Sequence, residues 1–146
     1  MNAGESESDF HIEKRVDPSP QELDRLRSAL STFNRSKIPD RGYLPVHFEL
    51  LDEGNEFAGG VSGYVSYGWL FIDTLWVSEP ARIKGWGRRL MLAAEDEARQ
   101  NGCRRAWLDT FSFQARAFYE KIGYRVFAEL EEFPSGHSRY FLRKEL

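Results

Sequence analysis

A basic turn with two alternate glycines is the part of the chain whose residue types and spacing best predict chemistry. The segment Arg82-Ile-Lys-Gly-Trp-Gly87 follows an apolar run that ends at Val77 and precedes an amphipathic pattern. Glycine lets a backbone approach a ligand closely, and the first turn of a helix offers unpaired N–H groups and a partial positive charge. The turn is therefore predicted to bind a phosphate or a pyrophosphate.

Two common phosphate motifs do not fit this turn. The dinucleotide fingerprint requires a third glycine where this chain has Leu90, and the mononucleotide loop requires Gly-Lys-Ser/Thr after a longer spacing. What remains is a basic residue, two spacers and a Gly-x-Gly pair. Four cations, Arg82, Lys84, Arg88 and Arg89, lie at the helix start, where positive charge opposes the helix dipole. An anionic ligand accounts for these cations better than a solvated surface does.

A second segment, Ser112-Phe-Gln-Ala-Arg-Ala-Phe-Tyr-Glu-Lys-Ile-Gly-Tyr124, follows after a strand-like run. It is similar to the signature Asn-x-x-Ala-x-x-Phe-Tyr-x-x-x-Gly-Phe. The two segments together resemble the GNAT superfamily of N-acetyltransferases, whose first motif holds the pyrophosphate of acetyl-CoA. The resemblance covers residues 10–146, and residues 69–124 carry the specific motifs. It implies acetyl-CoA as the acetyl donor.

The resemblance also implies where the cofactor binds. Backbone N–H groups between Ile83 and Arg88 would surround the pyrophosphate, while the basic side chains of the turn would pair with phosphates. Leu75 and Val77 would contact the pantetheine arm through their backbones, and Ser112 stands where the family often has an asparagine that contacts this arm. The residues expected to bind the cofactor are Leu75, Val77, Arg82, Ile83, Lys84, Gly85, Trp86, Gly87, Arg88, Ser112 and Tyr119.

Tyr119 is the predicted general acid, because it matches the family tyrosine that lies near the sulfur of CoA. An unperturbed phenol has a pKa of about 10 and can protonate a departing thiolate. Its place on the apolar face of a helix also fits a core residue, but the family match favours catalysis.

Two carboxylates are candidates for the general base that deprotonates the amine, and a water chain is the alternative. Asp73 interrupts an apolar strand, and period-two alternation places it on the face of Phe71, Leu75 and Val77. A salt bridge to an arginine explains Asp73 equally well. Asp109 is the second candidate, on the neighbouring strand.

The histidines and the single cysteine predict no further site. His11, His47 and His137 lack metal-ligand spacing, so no metal is expected. Cys103 cannot form an intrachain disulfide, which fits a reducing cytoplasm, and it is interpreted as a packing residue. Direct attack of an amine on bound acetyl-CoA is therefore favoured over a cysteine intermediate.

The composition is that of one ordinary globular domain. The chain has 146 residues, of which 41% are hydrophobic and 29% charged. Residues 1–9 are polar and acidic and are expected to be a flexible tail, so residues 10–146 form the predicted domain. No apolar stretch approaches the roughly 20 residues of a membrane span. A net charge of -3 argues against a nucleic-acid-binding module, which the basic turn alone would suggest.

Hydrophobic periodicity predicts an α/β domain. Helices are expected near residues 20–34, at Trp86–Gln100 and from Ser112. Strands are expected at Phe10–Val16, Val46–Leu51, Phe57–Tyr67, Trp69–Val77, Arg104–Thr110, Tyr124–Glu131 and Ser138–Lys144. The strand–helix–strand unit implies parallel pairing of Trp69–Val77 with Arg104–Thr110. The resemblance implies a mixed, mostly antiparallel sheet flanked by helices, with this parallel pair splayed around the cofactor.

The expected activity is acetyl transfer to a primary amine. A small molecule such as an amino acid derivative, a polyamine or an antibiotic is the first expectation, and a protein N-terminus or lysine is the second. A non-catalytic acyl-CoA-binding domain would keep the basic turn without needing Tyr119. The motifs do not distinguish acetyl from longer acyl donors. Many members of the family are dimers through their last strands, so the resemblance allows a homodimer.

Overall fold

The computed structural model describes residues 9–146. The expected N-terminal tail therefore lies outside the described residues, except for Asp9. The chain divides into two compact units, the first ending at Pro39 and the second spanning Asp40–Leu146. No helix among the described residues has the length and apolar character needed to cross a membrane.

The first unit contains helix α1 (Pro20–Lys37), which extends the predicted helix by three residues. Ser19 caps it: the Glu22 N–H donates to Ser19 Oγ at 3.2 Å, and the Ser19 N–H donates to Glu22 Oε2 at 2.8 Å. Such a capping box satisfies backbone donors that a helix start leaves unpaired. The predicted strand at residues 10–16 is wrong: these residues are exposed and form no strand. An alternating segment forms a strand only where a neighbouring strand completes its backbone hydrogen bonds, and all strands of the sheet lie in the second unit.

The second unit is built on a mixed sheet of six strands among the described residues, ordered β1-β2-β3-β4-β6-β5. The strands are β1 (Leu44–Leu51), β2 (Phe57–Ser66), β3 (Trp69–Val77), β4 (Arg105–Phe111), β5 (Arg125–Glu131) and β6 (Ser138–Glu145). Only β3 and β4 pair in parallel, and every other neighbouring pair is antiparallel. The predicted fold class and the predicted parallel pair are confirmed.

Three helices accompany the sheet: α2 (Glu79–Arg82), α3 (Trp86–Gln100) and α4 (Arg116–Lys121). The bounds of α3 are as predicted. Helix α2 was not predicted, because four residues are too short to show a helical period. Helix α4 begins four residues later than expected, since the Gln114 side chain holds a turn by accepting from the Phe111 N–H at 2.9 Å.

The core lies between α3 and the sheet. The apolar stripe predicted for α3 is buried and includes Leu90, Met91, Ala94 and Ala98. The strands contribute buried residues, among them Val46, Val61, Leu70, Ile72, Leu108 and Leu142. Each large aliphatic side chain buried there contributes about 1.5–3 kcal/mol, which fixes the start of α3 against the strand ends.

A β-bulge interrupts β3 at Asp73. Ser62 of β2 pairs with Thr74 and the next residue, Gly63, pairs with Ile72, so Asp73 is an extra residue without a partner in β2. A bulge shifts the alternation of side chains by one position. Leu75 and Val77 therefore pack against the core, whereas Asp73 is exposed. The prediction that Asp73 shares a face with Leu75 and Val77 is wrong for this reason.

The parallel pair separates where the bulge begins. Pairing runs from Trp69 with Arg105 to Ile72 with Leu108 and then stops. Strand β3 continues to Val77 and β4 to Phe111 without contacting each other through the ladder. The two strand ends thus leave a gap between them.

Candidate active site

The gap between β3 and β4 opens into a cleft of about 770 Å³. A volume of this order lies within the range usual for small-molecule sites. The ends of both strands, the start of α3, and the segment from the end of β4 through α4 form its walls. Nine predicted site residues line it: Asp73, Leu75, Val77, Arg82, Gly85, Gly87, Arg88, Asp109 and Tyr119.

One end of the cleft is the start of α3. Gly85 is the N-cap residue, with φ +77°, a backbone conformation that favours glycine. The first hydrogen bond of the helix is donated by Arg89 to the Gly85 carbonyl. Within the described part of the chain, the N–H groups of Trp86, Gly87 and Arg88 donate no backbone hydrogen bond. Free donors and the helix dipole make this end suitable for an anion.

Fewer backbone N–H groups are free for a ligand than the set predicted between Ile83 and Arg88. The Lys84 N–H donates to the Ala81 carbonyl at 3.2 Å and the Gly85 N–H to the Arg82 carbonyl at 3.5 Å. These two hydrogen bonds close the turn that connects α3 to α2, a helix that the sequence pattern does not predict. The donors that remain for a ligand are therefore those of residues 86–88.

Arg82 joins the basic turn to the end of β3. Its Nε donates to the Val77 carbonyl at 2.8 Å, and Arg82 and Arg88 both line the cleft. The terminal nitrogens of the Arg82 guanidinium can still donate to an anion. Ile83, Lys84 and Trp86 are not part of the cleft wall: Ile83 is 89% exposed, and Trp86 packs against the core.

The backbone of β3 faces the gap at alternate residues. The Ser78 N–H donates to the Ala58 carbonyl of the β2 side, so the polar groups of Val77 and Leu75 are directed away from β2. Strand β4 has already separated from β3 at this point. An extended ligand could therefore pair with β3 as β4 does earlier in the strand.

Tyr119 lies in α4 with its side chain buried in the wall of the cleft. Burial, together with the negative charge of Asp109, raises the pKa of Tyr119 to about 12. The phenol therefore carries its proton at neutral pH and can only donate it. Its ring packs edge-on against Phe118 and Tyr124, which holds it in one orientation.

Asp109 lies on β4, in the same cleft. Its Oδ1 accepts a 2.8 Å hydrogen bond from Arg139 Nε and lies 2.7 Å from Arg139 Nη2. Arg139 lies on β6 and pairs with Phe111 of β4. The motifs carry no signal for Arg139 as a site residue, because it is 30 residues away from Asp109.

Comparison with known proteins agrees with this architecture. The family model described as the acetyltransferase (GNAT) family matches residues 8–124. The chain belongs to the GNAT acetyltransferase family. It is accordingly an acyltransferase, as the two motifs predicted.

Individual acetyltransferases match over most of the chain. The blasticidin-S acetyltransferase of Streptomyces morookaense is 38% identical over 125 residues, which are 84% of this chain and 92% of the relative. The crystal structure of an acetyltransferase from Bacillus cereus is 35% identical with a TM-score of 0.84, covering 94% of this chain and 98% of the other. An aminoglycoside 6'-N-acetyltransferase solved with coenzyme A has the same fold at 16% identity and a TM-score of 0.63, covering 93% and 97%.

Ser112, which the motif resemblance predicts to contact the cofactor, is not in the cleft wall. Its Oγ accepts from the Ser138 N–H at 3.1 Å and lies 3.1 Å from His137 Nδ1. Gln114, whose side chain accepts from the Phe111 N–H, does line the cleft. The predicted contact between Ser112 and the cofactor therefore stays a prediction.

Proposed function

We propose that this enzyme is an N-acetyltransferase that transfers the acetyl group of acetyl-CoA directly to a primary amine of a small molecule. The observation that carries the proposal is the cleft between β3 and β4, which joins the donors at the start of α3 to the Tyr119 phenol and a carboxylate. Acetyl-CoA requires a binding site for an anion at one end of the cleft, and the reaction requires a proton donor in the wall.

The cofactor would lie along the cleft with its pyrophosphate at the start of α3. The N–H groups of residues 86–88 and the side chains of Arg82 and Arg88 would donate to the phosphate oxygens. The pantetheine arm would pair with the free edge of β3 at Leu75 and Val77. An aminoglycoside 6'-N-acetyltransferase of the same fold was solved with coenzyme A, which supports coenzyme A as the class of ligand.

The chemistry would proceed in one displacement. The amine attacks the thioester carbonyl carbon and forms the new C–N bond, which gives a tetrahedral intermediate whose oxyanion a backbone N–H of β3 would stabilise. The C–S bond then breaks, and Tyr119 donates its proton to the departing sulfur. The proton lost by the amine passes to Asp109, to Asp73 or to a water.

The choice of a small-molecule acceptor is supported by the blasticidin-S acetyltransferase relative. We expect purified enzyme to acetylate blasticidin S or another small amine faster than it acetylates a peptide N-terminus. Thiol release from acetyl-CoA measures the rate, with blasticidin S, spermidine and a peptide of free N-terminus as acceptors. Faster turnover of the peptide would reassign the acceptor class, and no turnover of any amine despite tight acetyl-CoA binding would favour a non-catalytic acyl-CoA-binding domain.

The cofactor half of the proposal is tested by Gly85→Val. A side chain at Gly85 meets no protein atom within 4 Å, so it would project into open space at the cleft. There it would displace the pyrophosphate from at least one N–H donor, and a charged hydrogen bond contributes about 1.5–3 kcal/mol. We therefore expect the Kd for acetyl-CoA, measured by isothermal titration, to rise at least about tenfold. Unchanged affinity in a folded variant would contradict the placement of the pyrophosphate.

Gly102→Val is the matched control for this substitution. Gly102 lies at the other end of α3, has φ +82° and likewise meets no protein atom within 4 Å. The backbone strain of about 1–2 kcal/mol is therefore common to both variants. Only Gly85 lines the cleft, so only its variant is expected to lose affinity for acetyl-CoA.

A further inference from the structure

The Asp109–Arg139 pair differs from the other ion pairs of the second unit because its carboxylate lines the cleft. Side-chain exposure is 17% for Asp109 and 29% for Arg139, so water screens the pair less than a surface pair. Asp109 lines the cleft together with Tyr119, and its charge is felt by the Tyr119 phenol. The carboxylate is thus close to the proposed site of thiolate protonation.

Arg139 engages only one oxygen of this carboxylate. Both close contacts, 2.8 Å from Nε and 2.7 Å from Nη2, are to Oδ1. Among residues 9–146, no donor forms a hydrogen bond with Oδ2. An ionised carboxylate offers acceptor sites on both oxygens, so Oδ2 retains the capacity to accept from a ligand ammonium.

Arg139 is itself held in place by aromatic rings. Its guanidinium lies 5.3 Å from the ring centre of Phe111, 5.2 Å from that of Phe133 and 5.5 Å from that of Phe141. Rings around a guanidinium attract it electrostatically and restrict its movement. The Arg139 guanidinium is therefore held beside Oδ1 of Asp109.

The other candidate base lacks such an arrangement. Asp73 lies on the bulge and is exposed, and within residues 9–146 its one side-chain partner is the neighbouring Thr74 hydroxyl at 3.5 Å. No cation among the described residues forms an ion pair with it. An exposed, unsupported carboxylate positions a ligand less precisely than one held by a fixed guanidinium.

We propose that Asp109 binds the amine of the acceptor through Oδ2 and that Arg139 is the positioning residue that holds the carboxylate in place through Oδ1. The inference rests on the proposed function and assigns its acceptor: a cationic primary amine. Asp109 would place the nitrogen beside the thioester, on the same cleft as the Tyr119 phenol. Arg139 acts only through Asp109 and does not touch the acceptor.

Asp109→Asn tests the anchoring role and is compared with Asp73→Asn, which removes the charge of the rival carboxylate in the same cleft. The acceptor is whichever of blasticidin S, spermidine and the free-N-terminus peptide the wild-type enzyme acetylates fastest. For Asp109→Asn we expect kcat/KM for the amine to fall about tenfold to a hundredfold, with the Kd for acetyl-CoA unchanged. Equal values of kcat/KM for Asp109→Asn and wild type, or a larger loss in Asp73→Asn, would overturn the assignment.

Arg139 is tested by substitution in two backgrounds. Arg139→Met is expected to raise KM for the amine, and Arg139→Lys, which keeps a cation, to restore part of the loss. In an Asp109→Asn background, Arg139→Met should have no further effect on this KM, because residues that act through one another are not additive. A purely structural role would lower the melting temperature in both backgrounds and leave KM for the amine unchanged, which would refute the proposal.

Failure of this inference is distinguishable from failure of the proposed function. If wild-type enzyme binds acetyl-CoA but acetylates none of the three amines, the proposed function fails and this inference fails with it. If wild-type enzyme acetylates an amine while the Asp109 and Arg139 variants match it, only the anchoring role is refuted.

Discussion

Tyr119→Phe is expected to lower kcat for acetyl transfer by about 10²- to 10⁴-fold, the usual contribution of a positioned general acid. The substitution removes only the hydroxyl, while the ring contacts with Phe118 and Tyr124 remain. The Kd for acetyl-CoA should stay close to the wild-type value. Thiol release under saturating substrates and isothermal titration with acetyl-CoA measure the two quantities.

The pKa of Tyr119 also predicts the pH dependence of the reaction. Because that pKa is raised to about 12, the phenol stays protonated from neutral to mildly alkaline pH. Ionisation of Tyr119 should therefore cause no loss of activity in that range. Any activity limb at acidic pH would belong to the amine or its base, and Tyr119→Phe should leave it in place.

Tyr124→Phe is the control for the loss of a buried tyrosine hydroxyl. Tyr124 packs against Tyr119 but does not line the cleft, and its hydroxyl donates to Glu95 at 3.1 Å. Its substitution should cost about 1–3 kcal/mol of stability through the lost hydrogen bond and leave kcat nearly unchanged. Equal turnover in Tyr119→Phe and wild type would remove Tyr119 from the mechanism.

Lys144→Met is expected to destabilise the enzyme by about 3–5 kcal/mol, because it removes the closest counterion of a buried carboxylate and leaves only Arg99, 4.0 Å away, among the described cations. Glu95 lies on the core side of α3 and is 0% exposed. Lys144 of β6 donates to both Glu95 oxygens at 2.9 Å. Urea unfolding followed by tryptophan fluorescence gives the change in the free energy of unfolding.

The double variant Glu95→Met with Lys144→Met distinguishes a lost counterion from lost packing. Replacing both partners removes the buried charge while keeping similar side-chain volume, so its stability should lie nearer the wild type than Lys144→Met does. Glu120→Gln is the surface comparison. Glu120 accepts from Arg116 Nε at 2.6 Å with both side chains largely exposed, so its loss should cost at most about 1 kcal/mol. A Lys144→Met loss no larger than that would contradict the buried-pair account.

Sequence patterns predicted the elements that depend on local periodicity. The bounds of α3, the end of β3 at Val77 and the parallel pairing of β3 with β4 are all as expected. The alternating run at residues 10–16 gave a wrong strand prediction, because a strand exists only where another strand completes its hydrogen bonds. The start of α4 was misjudged because one side chain, Gln114, stabilises a turn ahead of the helix.

Within the site, the basic turn and Tyr119 were found from their motifs, and their roles stay predictions until tested. The exposed position of Asp73 could not be read from alternation, since the bulge shifts the period without changing any residue type. Arg139 was missed for a different reason. A side-chain pair that joins β4 to β6 has no fixed spacing along the chain.

The sequence by itself determined the family, the order of the elements and the turn that begins α3, because these follow from contiguous residues and local backbone preferences. Only the tertiary structure decided which donors of that turn remain free, where β3 and β4 separate, and which carboxylate has a fixed cation beside it. Those features depend on strand register and on side chains far apart in the chain. They are set by packing, which no local pattern records.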